Sequence, residues 1–121
     1  MAIADGPLDG EALLSAITDA MIGLHERYYH RPPVTAKCQL MGDDLLACVL
    51  GSVYTDVEKT LIEIERAPIV QDNRNAFQRA MEGRFISAVE TLSGRAVVLF
   101  ISSHNIGPDL EVELFFFADP P

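Results

Sequence analysis

Val34-Thr35-Ala36-Lys37-Cys38-Gln39-Leu40-Met41, followed by Gly42-Asp43-Asp44 and then Leu45-Leu46-Ala47-Cys48-Val49-Leu50, is the stretch on which the fold turns. In its first part Val34, Ala36, Cys38 and Leu40 alternate with Thr35, Lys37 and Gln39. That period of two marks a half-buried strand. Gly42-Asp43-Asp44 is turn chemistry, because glycine and aspartate tolerate the backbone angles a tight reversal needs. The nearly continuous apolar run from Leu45 to Leu50 predicts a second strand, more buried than the first. The two form a β-hairpin.

On the N-terminal side of this hairpin, Leu13, Ile17, Met21, Leu24 and Tyr28 recur at steps of three and four after Asp9, a good N-cap. This predicts an α-helix with one apolar stripe, stopped at Arg31-Pro32-Pro33. On the C-terminal side Thr55-Asp56-Val57-Glu58 is a capping box. Val57, Leu61 and Ile64 give a short helix its apolar side. Pro68 ends it and opens a long helix over about 68–92, in which Ile69, Phe77, Met81, Phe85, Ala88 and Leu92 follow helical spacing and Gly94 supplies the stop. Arg95 to Ser103 is β-branched and apolar, a strand. His104 to Pro108 is a loop. In the last strand Leu110, Val112, Leu114 and Phe116 alternate with Glu111 and Glu113, and Phe115 and Phe117 fall on the glutamate side, the nominal solvent side. The order is α-β-β-α-α-β-β. It predicts a two-layer α+β sandwich, a four-stranded, mainly antiparallel sheet with helices on one face. One domain is expected over 1–121, with an ordered core at about 10–117.

The chain has 121 residues, 49% of them hydrophobic, which is enough apolar surface to form a core without disulfide or metal staples. The longest apolar run is strand-sized, far short of the ~20 residues that span a bilayer. Met1-Ala2-Ile3-Ala4-Asp5 lacks the basic and apolar regions of a signal peptide, so a cytoplasmic location is expected. The net charge is −9. Residues 1–25 hold Asp5, Asp9, Glu11 and Asp19, and residues 96–121 hold Asp109, Glu111, Glu113 and Asp119, with no lysine or arginine in either segment. Such ends repel phosphate backbones and anionic lipid, which argues against nucleic-acid partners and direct membrane insertion.

Chemistry-bearing motifs are scarce. His25 and His30, five apart on a helix, diverge by about 140°, the wrong geometry for joint ligation. His104 lies in the predicted loop, and no metal site is indicated. Ser102-Ser103-His104 does not make a nucleophile–base pair, because neighbours in a strand face opposite ways. No nucleophile elbow, P-loop or dinucleotide-binding glycine pattern is present, and no cofactor or catalytic residue is expected. Cys38 and Cys48 have apolar flanks that favour small buried side chains. A facultative disulfide is the alternative, since the hairpin places them face to face. On the long helix Arg74, Gln78 and Glu82 recur at steps of four on a polar face. Arg74 with Gln78, and Arg31 at the proline corner, are candidate anion-binding residues. Phe115 and Phe117 are candidate dimer-interface residues.

Several segments in order, Tyr29-His30-Arg31-Pro32-Pro33, Gly42-Asp43-Asp44, Leu50-Gly51 with Tyr54-Thr55-Asp56-Val57-Glu58-Lys59-Thr60-Leu61, Arg74-Asn75-Ala76-Phe77-Gln78-Arg79-Ala80-Met81, Val89-Glu90-Thr91-Leu92-Ser93-Gly94-Arg95 and Ser102 to Pro108, resemble the bacterial MpsC family over residues from about 10 to 117. The resemblance implies a small cytosolic component of a Na+-translocating, membrane-potential-generating system. Its other components are an NADH-dehydrogenase-type membrane subunit and a bicarbonate-handling subunit. It carries no catalytic residues over. The family's corner is usually Gly-Arg-Gly-Pro-like; His30-Arg31-Pro32-Pro33 here keeps the arginine and loses both glycines, which stiffens the turn. The expected function is therefore a non-enzymatic accessory or regulatory module, homodimeric, binding a protein partner such as a subunit of a membrane transport system. The alternatives are an anion-sensing domain built on Arg74 or Arg31, and a small enzyme.

Overall fold

The computed structural model describes residues 6–119, so the signal-peptide expectation at Met1 to Asp5 lies outside the described residues. The elements run α1 (Gly10–Tyr29), β1 (Thr35–Met41), β2 (Leu45–Gly51), α2 (Asp56–Glu63), α3 (Ala67–Ser93), β3 (Val97–Asn105) and β4 (Leu110–Phe117), in the order the sequence predicts. The four strands form one antiparallel sheet in the order β1-β2-β4-β3, two hairpins side by side. Gly42, at φ +67°, takes the left-handed position that the turn between β1 and β2 requires. α1 packs on α3 and β1, and α3 on β3, so both long helices cover the same face of the sheet.

The helices bury their faces at steps of three and four. α1 buries Leu13, Ile17, Met21 and His25; α3 buries Val70, Arg74, Gln78, Met81, Phe85, Val89 and Ser93. The sheet contributes Leu46, Cys48, Leu50, Phe115 and Phe117 to this core.

Four expectations need correction. Phe115 and Phe117 are core residues, not an outer dimer patch, because β4 sits in the opposite phase: Glu111, Glu113, Phe115 and Phe117 face the helices. The polar face assigned to α3 is in part its buried face, whereas Ile69 and Phe77 are 45% and 42% exposed. His104 is on β3 rather than in a loop, paired with Glu111. The short helix α2 buries no residue, and Val57 and Ile64 are exposed; it is held by its capping box and by Glu58.

The phase of β4 leaves an apolar surface on the other side of the sheet. Leu45, Ala47 and Val49 of β2, Val112, Leu114 and Phe116 of β4, and Leu99 and Ile101 of β3 share that face by register. No described helix covers it. Leu99 is 51% and Ile101 44% exposed.

Candidate functional site

Most of the core is apolar, and at one end it carries a cluster of buried polar and ionisable side chains. Helical spacing carries His25 one turn beyond Met21, and carries Arg74 and Gln78 one and two turns beyond Val70. The two-residue period of β4 puts Glu111 and Glu113 inside on the same grounds as Phe115. These five side chains meet between α1, α3 and β4, each nine-tenths or more buried.

Arg74 is fully buried and holds the cluster's outer end. Its Nε donates to Glu58 Oε2 at 2.7 Å and its Nη2 to Glu58 Oε1 at 2.6 Å, a fork-to-fork pair. Nη2 also donates to the Val53 carbonyl at 2.9 Å. The guanidinium carbon lies 3.8 Å from the Tyr29 ring centroid and 5.0 Å from that of Tyr54, so two aromatic faces flank the cation. Its Nη1 has no hydrogen-bond acceptor and lies 3.6 Å from Glu111 Oε1. Burial is the largest influence on Glu58 and disfavours its ionised form, but the hydrogen bonds and charge of Arg74 together with the hydrogen bonds from Thr55 hold that carboxyl below the usual range. Burial pushes the Tyr54 phenol up to about 12, and raises Tyr29 as well.

Further in, His25 Nδ1 lies 2.9 Å from the Met21 carbonyl and Nε2 lies 2.5 Å from Glu111 Oε2. A carbonyl only accepts, so Nδ1 carries a hydrogen. The close Nε2–carboxylate contact then requires one further proton between ring and carboxylate. Phe85 stacks on the imidazole at 5.7 Å. Burial alone would raise Glu111, yet the contacts with His25 and Glu113, with the charge of Arg74 behind them, bring it down to about 2. Glu113 goes the other way. Burial raises it well above the carboxylate range, and Glu111 alongside adds to that, so Glu113 keeps its proton. Gln78 Nε2 donates to Glu113 Oε1 at 3.2 Å. Among the described residues, Gln78 Oε1, Glu113 Oε2, Ser102 Oγ and both ring nitrogens of His104 are buried without a partner. Burial lowers His104, disfavouring its charged form.

The sequence's candidate residues are thus only partly brought together. Arg74 and Gln78 do sit in one cluster, but they face inward on separate acidic partners rather than outward to a ligand. Arg74 is already neutralised by Glu58, which removes the main cation of the anion-binding expectation. Arg31 lies elsewhere, its Nη1 donating to the Tyr54 carbonyl beside a surface cleft of about 520 Å³ lined by Tyr29, His30, Arg31, Thr55, Asp56 and Lys59. Two of the acids counted at the C-terminal end are also not surface charges, since Glu111 and Glu113 are buried, and Asp109 accepts from the Val53 and Tyr54 amides.

Reasoning from the sequence missed His25, Glu58, Glu111 and Glu113. A signal for His25 was present: continuing the spacing Leu13, Ile17, Met21 by four reaches it directly. Cys38 and Cys48 are directly opposed in the β1–β2 register with their thiols in contact, and both are free.

A family model described as Na+-translocating membrane potential-generating system (MpsC) matches residues 10–119. No curated protein and no solved structure matches the chain.

Proposed function

The chain belongs to the MpsC family, and from that premise we propose that it is a non-enzymatic accessory or regulatory module acting on the cytosolic side of a Na+-translocating membrane system. The observation that carries this is the uncovered sheet face. Leu45, Val49, Val112, Leu114, Phe116, Leu99 and Ile101 form a contiguous apolar surface on a rigid sheet, the kind of exposed patch that marks a protein contact. No helix among the described residues is long and apolar enough to cross a membrane, and recruitment through a protein surface fits that.

Exposed Asp9, Glu11 and Asp19 lie on the helix side of the sheet, away from this face, so their charge would steer a basic partner at long range and act mainly on association rate. The test is affinity capture of the tagged protein from its host's detergent-solubilised cells, beside an Ile101→Lys variant. Membrane transport subunits recovered with the natural sequence and lost with Ile101→Lys support the proposal. Recovery that ignores the substitution, or recovery of the bait alone, overturns it.

The same face also fits a second copy of this chain, which replaces Phe115 and Phe117 as the basis for a homodimer. Sedimentation shows which occupant it takes: a dimer that Leu114→Lys dissociates assigns the face to self-association, and a monomer at all concentrations leaves it to another protein.

A further inference from the structure

His25, Glu111 and Glu113 are not needed by a docking function, yet they place three metal-ligating side chains in the centre of the protein. Their donor atoms all lie within 4.8 Å of one another, and all three residues are buried. We infer that these residues form a site for one divalent transition-metal ion of the zinc class, with Gln78 as the fourth donor.

Four observations support the inference. The first is how the histidine is held. His25 Nδ1 donates to the Met21 carbonyl at 2.9 Å, which fixes the ring and leaves Nε2 aimed at the carboxylates. Metal-bound histidines are usually oriented in this way. The second is the unused valence. Among the described residues Glu113 Oε2, Glu111 Oε1 and Gln78 Oε1 are buried oxygens without a hydrogen-bond partner, and Gln78, on α3, is 7% exposed and already contacts Glu113. An unpaired buried acceptor is costly, and a cation relieves several at once.

The third is charge. Binding would release the protons of Glu113 and of the His25–Glu111 contact, after which Glu58, Glu111 and Glu113 against Arg74 leave two negative charges, the amount one divalent cation cancels. The fourth is donor type. One imidazole nitrogen with carboxylate and amide oxygens suits zinc-like ions, whereas magnesium and calcium favour oxygen alone. Small side-chain shifts bring the donors to the ~2.0–2.2 Å that such an ion needs, with the ion taking the place of the direct His25–Glu111 contact.

The ion would tie α1, α3 and β4 together from inside. The experiment is a Co2+ titration of the chelator-treated, full-length protein in 150 mM NaCl, read by the ligand-field absorption of the cobalt and followed by melting with Zn2+. One ion per chain is expected, with a saturable visible band, and a hundredfold excess of Zn2+ over Kd should raise Tm by roughly 10 °C. Glu113→Gln keeps the volume and the neutral hydrogen bonding of the metal-free cluster, so it folds, as its circular dichroism and melting will show. It should lose the band and weaken binding about a hundredfold or more. Asp43→Asn with Asp44→Asn, on the exposed turn, should leave binding unchanged. No saturable band, or a band that survives Glu113→Gln in a folded protein, overturns the site.

Discussion

Glu113→Gln isolates the proton that a buried carboxyl carries. Glu113 is fully buried, and burial followed by its neighbour Glu111 keeps it protonated far above the ordinary range. In the unfolded chain the same carboxyl ionises at about pH 4.3. Between that pH and its folded-state value, the native protein holds one proton that the unfolded chain has released. Stability therefore falls as pH rises, by about 1.4 kcal/mol per pH unit. The contribution is complete below the unfolded-state value and is lost as pH climbs through the folded-state value. Glutamine does not titrate, and its amide oxygen can still accept from Gln78 Nε2.

From pH 5 to 7 the natural sequence should lose stability relative to Glu113→Gln, by at most about 3 kcal/mol, the limit reached where Glu113 stays protonated in the folded protein throughout, the other groups being common to both proteins. For a chain of 121 residues that limit is a relative change in Tm of roughly 10 °C. Urea unfolding at pH 5, 6 and 7, with a chelator present, measures it directly. Stability curves that stay parallel across this range would refute the reasoning, because Glu113 would then be ionised in both states.

Arg74→Met removes a buried cation between Glu58 and Glu111, and should cost about 3–5 kcal/mol in urea unfolding at pH 7 because both carboxylates lose their partner. Adding Glu58→Gln should recover part of that loss; a single-variant cost under about 1 kcal/mol would mean that the forked pair is not what holds this region. Treatment with a thiol oxidant such as diamide should consume both free thiols of one chain through a Cys38–Cys48 bond, lowering the mass by two hydrogens with no covalent dimer on a non-reducing gel. Thiols that survive, or chain-to-chain crosslinks, would contradict the β1–β2 register.

The order of elements was legible because most of their signals are local. The capping box at Thr55 and Glu58, Gly94 at the end of α3 and the alternation in β1 each depend on a few neighbouring residues, and each is found where the pattern puts it. The phase of β4 was not legible. Leu110, Val112, Leu114 and Phe116 make one apolar face, but Leu114-Phe115-Phe116-Phe117 is apolar on both. The glutamates made the wrong face look solvated.

The same bias hid the site. Val70, Arg74, Gln78, Met81, Phe85 and Val89 are one stripe at steps of four and three, and only the assumption that arginine and glutamine face water breaks it. A charge is buried when partners from other elements meet it. His25 and Glu111 are 86 residues apart and Gln78 and Glu113 are 35 apart, separations that no local window spans.

α2 has a further consequence for this polar interior. The helix buries none of its residues, so swinging it away from the body uncovers little of the apolar core and needs chiefly the Glu58–Arg74 pair to part. Its amides should exchange with solvent sooner than those of α1 or α3. When it opens, Glu58 departs with it, and the whole charge of Arg74 is left to Glu111, 3.6 Å from its Nη1. The position of an outer helix thereby sets the electrostatic potential at two carboxylates it never touches, a dial on the inside of the protein turned from its surface.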